Sequence, residues 1–401
     1  MRIIIDATTT QNEWKSNGIG FYARNIITHL VKEHSDTKFI LLMYDDLPST
    51  IDEMFMVPLK NVEIKRIGKY IDKNLFHILW YVRQLFPGYL TVSSLKQVYE
   101  KGDIFFSPFF WGGLPLRIPF VVAIHDFAFP KFNIYSQISI FHNLARAFTY
   151  WVEMFKTLRA RAIITDAQFT VGEYHRYLPG YNMQKIFPIH LGLDMQNVES
   201  NIDHFLPKDW KERGYLIYLG GGYTRNKNTE GLIDGYAAYV SMCRESGKEV
   251  PYLVIAGKNF TNPKDISIRK LHERILEKGV RGKVIFTGRY EDIERYSLLH
   301  NSLASIHLSL YEGFGFGALE GMKAGTPTIV HYGSCYPEVM KDGAIFVDGT
   351  NPREVANAIL HVVNDRKTVK VIAKRGKEVA SEYKWEKTAR ETYNVLVNAL
   401  K

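Results

Sequence analysis

Short apolar runs alternate with amphipathic segments along most of the 401-residue chain. Continuous apolar strands separated by segments of helical periodicity are typical of parallel sheets that are covered on both faces. In the first half of the chain, the pattern predicts strands at Arg2–Ala7, Lys38–Tyr44, Asp103–Ser107, Phe120–His125, Ala162–Thr165 and Lys185–His190.

A second series of strands follows a polar stretch near residues 195–212. It comprises Tyr215–Leu219, Tyr252–Ala256, Lys283–Thr287, Leu303–Leu308, Thr328–His331 and Ala344–Val347. Two such series predict an α/β protein with two Rossmann-like, doubly wound domains, at 1–195 and 213–384. Because ligands bind beyond the carboxyl ends of parallel strands, we expect the domains to face each other across a ligand-binding cleft.

Charge and cysteine content narrow the function classes. The net charge is +9, but the basic residues form no run of five and no nucleic-acid-binding motif accompanies them. An anionic membrane surface, a phosphate-bearing substrate and simple solubility remain. The two cysteines are far apart, which favours a reducing compartment. "MRIIIDATTT" has too short an apolar run for a signal peptide, and no apolar run reaches transmembrane length. We therefore expect a cytoplasmic protein.

The stretch "SLYEGFGFGALEGMKAGTPTIV" carries the most informative pattern. Glu312 and Glu320 flank Gly313, Gly315 and Gly317 where a predicted strand gives way to a helix starting near residue 318. Glycines allow close backbone approach, and the start of a helix favours phosphate or polyhydroxyl groups. A carboxylate accepts two hydroxyl hydrogen bonds at once, as the diol of a ribose requires. The alternative is that Glu320 only stabilises the helix dipole and that the glycines form turns.

"EGFGFGALE" resembles the E-x7-E motif of the retaining GT-B glycosyltransferases of family 4 (glycosyltransferase group 1), and "AGTPTIV" is similar to sequence near that motif. The resemblance implies a GT-B fold. It implies that Glu320 holds the nucleotide ribose and that Glu312 faces the donor sugar. The N–H groups of Phe314, Gly315 and Phe316 would bind sugar hydroxyls or phosphate oxygens. The final helix, within 385–401, would pack back on the N-terminal domain.

A second motif, "YLGGGYTRNKNTEGLI", runs from a strand through glycines into a helix with two cations near its start. Arg225 and Lys227 at that position indicate a pyrophosphate site that offsets charge on a departing nucleotide. Lys227 and Asn228 match a Lys-Asn pair of the family. Many relatives have an arginine where this chain has Gly221, so Arg225 either substitutes for it or faces solvent.

The third motif is His125–Asp126 in "VVAIHDFAFP", at the carboxyl end of a strand. The resemblance places His125 against the donor sugar, with Asp126 orienting it or meeting the acceptor. A His–Asp pair that only caps the next segment is the alternative.

The fourth motif, "NGIGFYARNI", contains Gly18 and Gly20 at the start of a helix. A dinucleotide fingerprint would need glycines directly after the first strand, whereas Thr8–Asn17 intervene here. We instead expect a mobile loop that covers the donor phosphate or the acceptor, in keeping with a glycine pair of the family.

Two aromatic and basic segments, 74–90 and 134–162, fit either amphipathic helices at a membrane interface or helices packed on the sheet. A GT-A enzyme would need a D-x-D motif to hold a metal, and none stands in a suitable setting. No Cys or His cluster has ligand spacing. We therefore expect no metal and no cofactor, with Arg225, Lys227 and helix termini in their place.

The combined expectation is a metal-independent, retaining hexosyltransferase. Its donor would be a nucleoside diphosphate sugar, and its acceptor a glycan or lipid-linked glycan, with the inner face of the cytoplasmic membrane as a candidate location. "HDFAFP" and "SLYEGFG" are similar to bacterial O-antigen mannosyltransferases, so GDP-mannose is the first donor to test. A nucleotide-sugar 2-epimerase and a non-catalytic sugar-nucleotide-binding partner are the alternatives.

Overall fold

The computed structural model describes residues 1–12, 14–15, 17–52, 59–69, 89–132, 140–220, 224–244, 247, 249–262 and 265–401. The chain forms two compact units, neither of which is continuous in sequence. The first comprises Met1–Phe127, Tyr135–Gly192 and Lys384–Lys401, and the second comprises Ala128–Ile134 and Leu193–Tyr383.

A parallel sheet forms the centre of the first unit. Its strands are β1 (Arg2–Asp6), β2 (Lys38–Met43), β3 (Val62–Arg66), β4 (Ile104–Ser107), β5 (Phe120–Ile124), β6 (Ala162–Thr165) and β7 (Ile186–Pro188). They lie in the order β3-β2-β1-β4-β5-β6-β7. The α-helices of this unit are Gly18–Glu33, Tyr89–Val98, Ile140–Lys156, Gln168–Tyr177 and Trp385–Asn398. The change of direction between β1 and β4 is the topological switch point of a Rossmann sheet.

The second unit repeats this plan. Its strands are β8 (Tyr215–Leu219), β9 (Tyr252–Ala256), β10 (Val284–Gly288), β11 (Ala304–His307), β12 (Thr328–His331) and β13 (Ile345–Val347), in the order β10-β9-β8-β11-β12-β13. The α-helices are Ala128–Phe132, Trp210–Arg213, Thr229–Arg244, Ile266–Glu277, Asp292–His300, Phe316–Lys323, Tyr336–Met340, Pro352–Asn364 and Arg366–Ala380. Here the switch point lies between β8 and β11.

Burial on both faces explains why most strands were predictable. Ile3, Ile4 and Ile5 of β1 are fully buried, and β1 pairs in parallel with both β2 and β4. The sequence pattern missed β3 because its residues, VEIKR, mix charged and apolar positions on a partly exposed edge strand. The predicted strand Lys185–His190 is shorter in the structure, at Ile186–Pro188.

The first part of the loop after β1, Thr8–Gln11, is packed, and the expected mobile cover over the donor or acceptor stays a prediction. Thr8–Thr10 form a buried 3-10 turn, and Thr8 donates from its backbone N–H and its hydroxyl to the Asp6 carboxylate. The side-chain amide of Gln11 donates to the carbonyls of Tyr44 and Leu47 and accepts from the Tyr44 N–H. These bonds tie the loop to the end of β2.

Two segments belong to a different unit from their sequence neighbours. Ala128–Phe132 packs in the second unit, where the Lys131 ammonium lies 4.6 Å from the centre of the Tyr311 ring. The predicted domain boundary at residue 195 did not assign this segment to the second unit. The C-terminal helix Trp385–Asn398 packs in the first unit, where the rings of His34 and Tyr393 stack at 3.5 Å.

No helix among the described residues is both long and apolar enough to cross a bilayer. Of the two aromatic segments, most of 74–90 and residues 133–139 fall outside the described residues.

Candidate functional site

The turn Arg225–Lys227, which follows β8, is fastened to the end of β11. Asn228 ends this turn in the left-handed conformation, with φ 51°. Its side-chain amide donates to the carbonyls of Leu308 at 3.2 Å and Gly349 at 2.9 Å. The turn is therefore held at the carboxyl edge of the sheet, next to the switch point.

Asn226 joins this turn to the start of the glycine-rich motif. Its backbone carbonyl accepts from the Leu310 N–H at 2.7 Å, and its side-chain amide donates to the Tyr311 carbonyl at 3.1 Å. The side chain is almost completely buried. This residue brings together two motifs that are distant in sequence.

Lys227 and Glu312 form the central ion pair of the candidate site. The Lys227 ammonium donates to Glu312 Oε1 at 2.6 Å, and the two side chains are 31% and 16% exposed. The Ser334 hydroxyl accepts from the Glu312 N–H and donates to the Glu312 carbonyl, which fixes the backbone. A lysine and a glutamate predicted as site residues are thus in direct contact at the switch point of the second unit.

The glycines after Glu312 are required by close packing. Gly315 has φ 88°, and a Cβ atom there would lie 2.7 Å from the Tyr336 ring. A Cβ on Gly317 would lie 2.7 Å from the His307 ring. The helix begins at Phe316, two residues before the predicted start, with Gly315 as its N-cap. Phe314, Gly315 and Phe316 therefore lie at the positive end of a helix dipole.

His307 is a buried polar residue that the sequence analysis missed. Its Nε2 lies 2.9 Å from the Ser305 hydroxyl, and the ring packs against Gly317. Burial, assisted by the charge of Lys227, lowers the pKa of His307 to about 3. The ring is therefore neutral at physiological pH. Two polar residues, Ser305 and His307, alternate with apolar ones in the strand "ASIH", and this pattern could have marked His307 as a buried polar residue.

Glu320 pairs with a different cation from Glu312. Its Oε1 accepts from Arg295 at 2.9 Å, and Arg295 also pairs with Asp292. The Glu320 and Arg295 side chains are only 14% and 20% exposed. Burial raises the pKa of Glu320 despite the opposing charge of Arg295. The sequence analysis did not predict this second ion pair. The contact of Glu320 with a ribose stays a prediction.

Arg225 is exposed, as in the second of the two alternatives, and its role in donor binding stays a prediction. Gly221, the position of the arginine in many relatives, lies outside the described residues. The structure therefore adds no contact that assigns Arg225 to a phosphate.

His125 lies in the first unit, at the end of β5, and is 8% exposed. Its Nδ1 is 3.0 Å from both carboxylate oxygens of Asp166, and its Nε2 is 2.9 Å from the Pro108 carbonyl. Asp166, and not the predicted Asp126, orients the ring. No local pattern marks this partner, because Asp166 follows β6, 41 positions after His125.

Both partners of His125 are acceptors, so the charged ring donates from both nitrogens. Burial opposes that charge, but Asp166, the Pro108 carbonyl and the nearby Asp126 together raise the pKa of His125. The predicted contact with a sugar hydroxyl would require one of these bonds to break. Tyr22 packs edge-on against the ring at 4.7 Å between centroids.

Gly18 and Gly20 serve the start of their helix. The Asn17 side chain accepts from the N–H groups of Ile19 at 3.0 Å and Gly20 at 3.2 Å. A Cβ on Gly20 would lie 2.4 Å from the Trp14 carbonyl oxygen, whereas a Cβ on Gly18 meets nothing within 4 Å. The Gly20 amide is thus already bonded to Asn17, and a contact of Gly18 or Gly20 with the donor stays a prediction.

Among the described residues, no three His, Cys, Asp or Glu side chains are grouped so that they could hold a metal ion.

Comparisons with known proteins find a matching family model and several similar proteins. Residues 204–379 match the family of glycosyl transferases group 1. The chain is 26% identical over 240 residues to O-antigen chain mannosyltransferase B of Escherichia coli, a match that covers 59% of this chain and 60% of that relative. It is 24% identical to alpha-1,3/1,6-mannosyltransferase ALG2 of Dictyostelium discoideum, covering 68% of this chain and 69% of the relative.

Solved structures resemble the whole chain. The Anabaena protein Alr3699/HepE in complex with UDP and glucose gives a TM-score of 0.68 at 17% identity, covering 99% of this chain and 100% of that one. Sucrose-phosphate synthase from Thermosynechococcus elongatus gives a TM-score of 0.71 at 15% identity, covering 99% and 98%. The second unit is therefore similar to the group 1 glycosyltransferases over residues 204–379, and the two parallel-sheet units have the GT-B fold.

Proposed function

We propose that this protein transfers a hexose from a nucleoside diphosphate sugar to a hydroxyl group of a glycan or lipid-linked glycan, with retention of configuration and without a metal ion. The observation that carries the proposal is the Lys227–Glu312 ion pair, with 2.6 Å between ammonium and carboxylate. It lies beyond the carboxyl ends of β8 and β11, where Rossmann sheets bind ligands. The family match and the mannosyltransferase relatives support a hexosyl transfer.

Lys227 has the chemistry to stabilise the departing nucleoside diphosphate. An ammonium group next to a diphosphate offsets the charge that develops as the glycosidic bond breaks. Glu312 is acceptor-only when ionised, so it suits hydroxyl groups of the donor sugar. When the donor binds, Lys227 would exchange its bond to Glu312 for a phosphate oxygen, and the released carboxylate would accept from the sugar.

The reaction we propose is a front-face displacement. The acceptor oxygen forms a bond to the anomeric carbon as the bond to the phosphate oxygen breaks, and the departing phosphate takes the acceptor's proton. Trapping of a glycosyl group on any side chain would contradict this mechanism.

GDP-mannose is the donor we propose to test first, because relatives of the chain are named mannosyltransferases. The first experiment is a thermal-shift screen with UDP, GDP, ADP and TDP. At a hundredfold excess over its dissociation constant, a specific ligand stabilises the folded protein by about 2.7 kcal/mol. A response to one base identifies the nucleotide, and the absence of any response contradicts the proposed site.

The second experiment follows the matching sugar nucleotide by NMR, with EDTA present, first alone and then with candidate acceptors. An α-linked product from an α-linked donor supports a retaining transferase. Conversion of the donor sugar to its 2-epimer without acceptor would favour the epimerase alternative. Binding without any turnover would favour the non-catalytic partner.

A further inference from the structure

The helix Ile140–Lys156 of the first unit buries polar as well as apolar side chains and exposes several large apolar ones. On an amphipathic surface helix, the polar residues normally face solvent. Here Thr149, Glu153 and Thr157, the last in the turn that follows the helix, are buried. The exposed side instead carries large apolar side chains: Leu144 is 61% exposed, Phe148 60%, Phe155 56% and Leu158 38%.

These four side chains, here called the Phe148 face, form one stripe. Spacings of four and seven residues place Leu144, Phe148 and Phe155 on the same side of the helix, and Leu158 follows in the 3-10 turn Thr157–Arg159. At 1.5 Å per residue, the helical part from Leu144 to Phe155 is about 17 Å long. Trp151 lies within it, with its ring centroid 6.1 Å from that of Phe155. A continuous exposed apolar stripe of this kind indicates an interaction surface.

The orientation of this helix is fixed from its buried side. The Glu153 carboxylate accepts from the Leu114 N–H at 2.9 Å and from the Lys156 ammonium at 2.5 Å. The Tyr150 ring packs edge-on against Phe110 at 5.2 Å between centroids. Turning the Phe148 face inward would break these contacts, so the exposure of the stripe is built into the fold.

The charged side chains around the Phe148 face favour an anionic partner. Arg159 and Arg161 are exposed at its C-terminal end, and the acid of the helix, Glu153, is buried. The loop that Glu153 anchors also exposes Leu116 and Arg117. A bilayer with anionic headgroups accepts both the apolar stripe and the arginines.

We propose that the Phe148 face inserts into the interface of an anionic phospholipid bilayer, with Arg159 and Arg161 contacting the headgroups. The inference goes beyond the proposed transfer reaction, because it assigns the surface on which the protein would meet a lipid-linked acceptor. Within the predicted segment 134–162, it assigns the membrane-facing side to Leu144, Phe148, Phe155 and Leu158.

The test is co-sedimentation of the full chain, without donor, with vesicles of phosphatidylcholine alone or mixed with phosphatidylglycerol. Replacing Phe148 and Phe155 by Asn should lower the partition coefficient by about tenfold or more, because two large apolar groups no longer enter the bilayer. Replacing Arg159 and Arg161 by Gln should lower binding to the mixed vesicles by about fivefold for each arginine.

The matched control replaces Leu276 and Val371, which are exposed by 55% and 65% on helices of the second unit, by Asn. The proposal expects this control to bind like the wild type. It is overturned if the wild type binds neither vesicle, or if the Phe148/Phe155 variant binds as tightly as the control. Self-association of the wild type that this variant abolishes, without vesicle binding, would identify a protein interface instead.

Thermal unfolding with and without the responding nucleotide shows whether each variant is folded and retains its nucleotide site. A variant with a normal nucleotide response and no vesicle binding supports the membrane surface independently of the transfer reaction. Vesicle binding by a protein that responds to no nucleotide would contradict the proposed function but not this inference.

Discussion

The two partners of the Lys227–Glu312 ion pair should change diphosphate affinity in opposite directions when each is replaced. Lys227→Met removes the cation that we propose binds phosphate. Glu312→Gln removes the anion that competes for that cation. At 2.6 Å, and at an effective dielectric constant of about 20, the Coulomb attraction is about 6 kcal/mol. Desolvation and the partial exposure of Lys227 offset most of it, leaving a net value of about 1 kcal/mol.

These magnitudes set the expected affinities. A charge-assisted hydrogen bond contributes about 1.5–3 kcal/mol, so Lys227→Met should weaken binding of the responding nucleoside diphosphate by about 10- to 100-fold. Glu312→Gln should tighten it by up to about fivefold, because the lysine no longer pairs with a full negative charge. For the sugar nucleotide, the same Gln variant should lose affinity and lower kcat by about 100- to 1000-fold.

Isothermal titration calorimetry with the nucleoside diphosphate and with its sugar conjugate measures both effects. Lys387→Met is the matched control, because Lys387 forms an exposed pair with Glu391 at 4.0 Å on the C-terminal helix. The reasoning is refuted if Lys227→Met is folded and binds the diphosphate like the wild type. It is also refuted if both variants of the pair weaken the diphosphate equally, since the carboxylate would then not compete for the lysine.

Three further predictions concern buried charges. Glu320→Ala leaves the Arg295 guanidinium with one carboxylate fewer, so the free energy of unfolding in urea should fall by about 2–4 kcal/mol. Adding Arg295→Met to this variant should restore part of that loss. Burial raises the pKa of Asp6 to about 6, so its ionisation lowers the free energy of unfolding by about 3 kcal/mol as pH rises from about 4 to 6. Asp6→Asn should remove this loss, which urea unfolding at several pH values measures. Asp166→Asn should lower the pKa of His125 in an NMR titration. Because the folded-state pKa is raised, the stability from this charged ring is complete below about pH 6.5 and is lost at higher pH, and the variant should lose this dependence.

Local apolar patterning was sufficient for most of the fold. A strand such as Phe120–Ile124, buried on both faces, has to be apolar at consecutive positions, and that run is visible in the sequence. The β3 strand, Val62–Arg66, lies at the sheet edge, so its side chains satisfy no such constraint. Ala128–Phe132 belongs to the second unit, where Lys131 contacts the distant Tyr311, and no local pattern records such a contact.

The candidate site was predictable where glycines or cations mark the carboxyl end of a strand. Lys227 and Glu312 have such local markers, and the structure brings them together. Asp166 and Arg295 were missed because each meets its partner through the fold: one lies 41 residues after His125 and the other 25 residues before Glu320. Such contacts depend on how strands and helices are arranged in the folded unit, which a local sequence pattern does not show.

The geometry of His125 bears on where the acceptor's proton goes. The His125 ring donates to Asp166 from one nitrogen and to the Pro108 carbonyl from the other, so neither nitrogen has a lone pair that could accept a proton. Since the surroundings favour the charged ring, the structure argues against His125 as a general base in this conformation. The front-face transfer proposed above needs no such base, because the departing phosphate would take the acceptor's proton. The role of His125 consistent with these bonds is a fixed positive charge at the end of β5, whose orientation depends on Asp166.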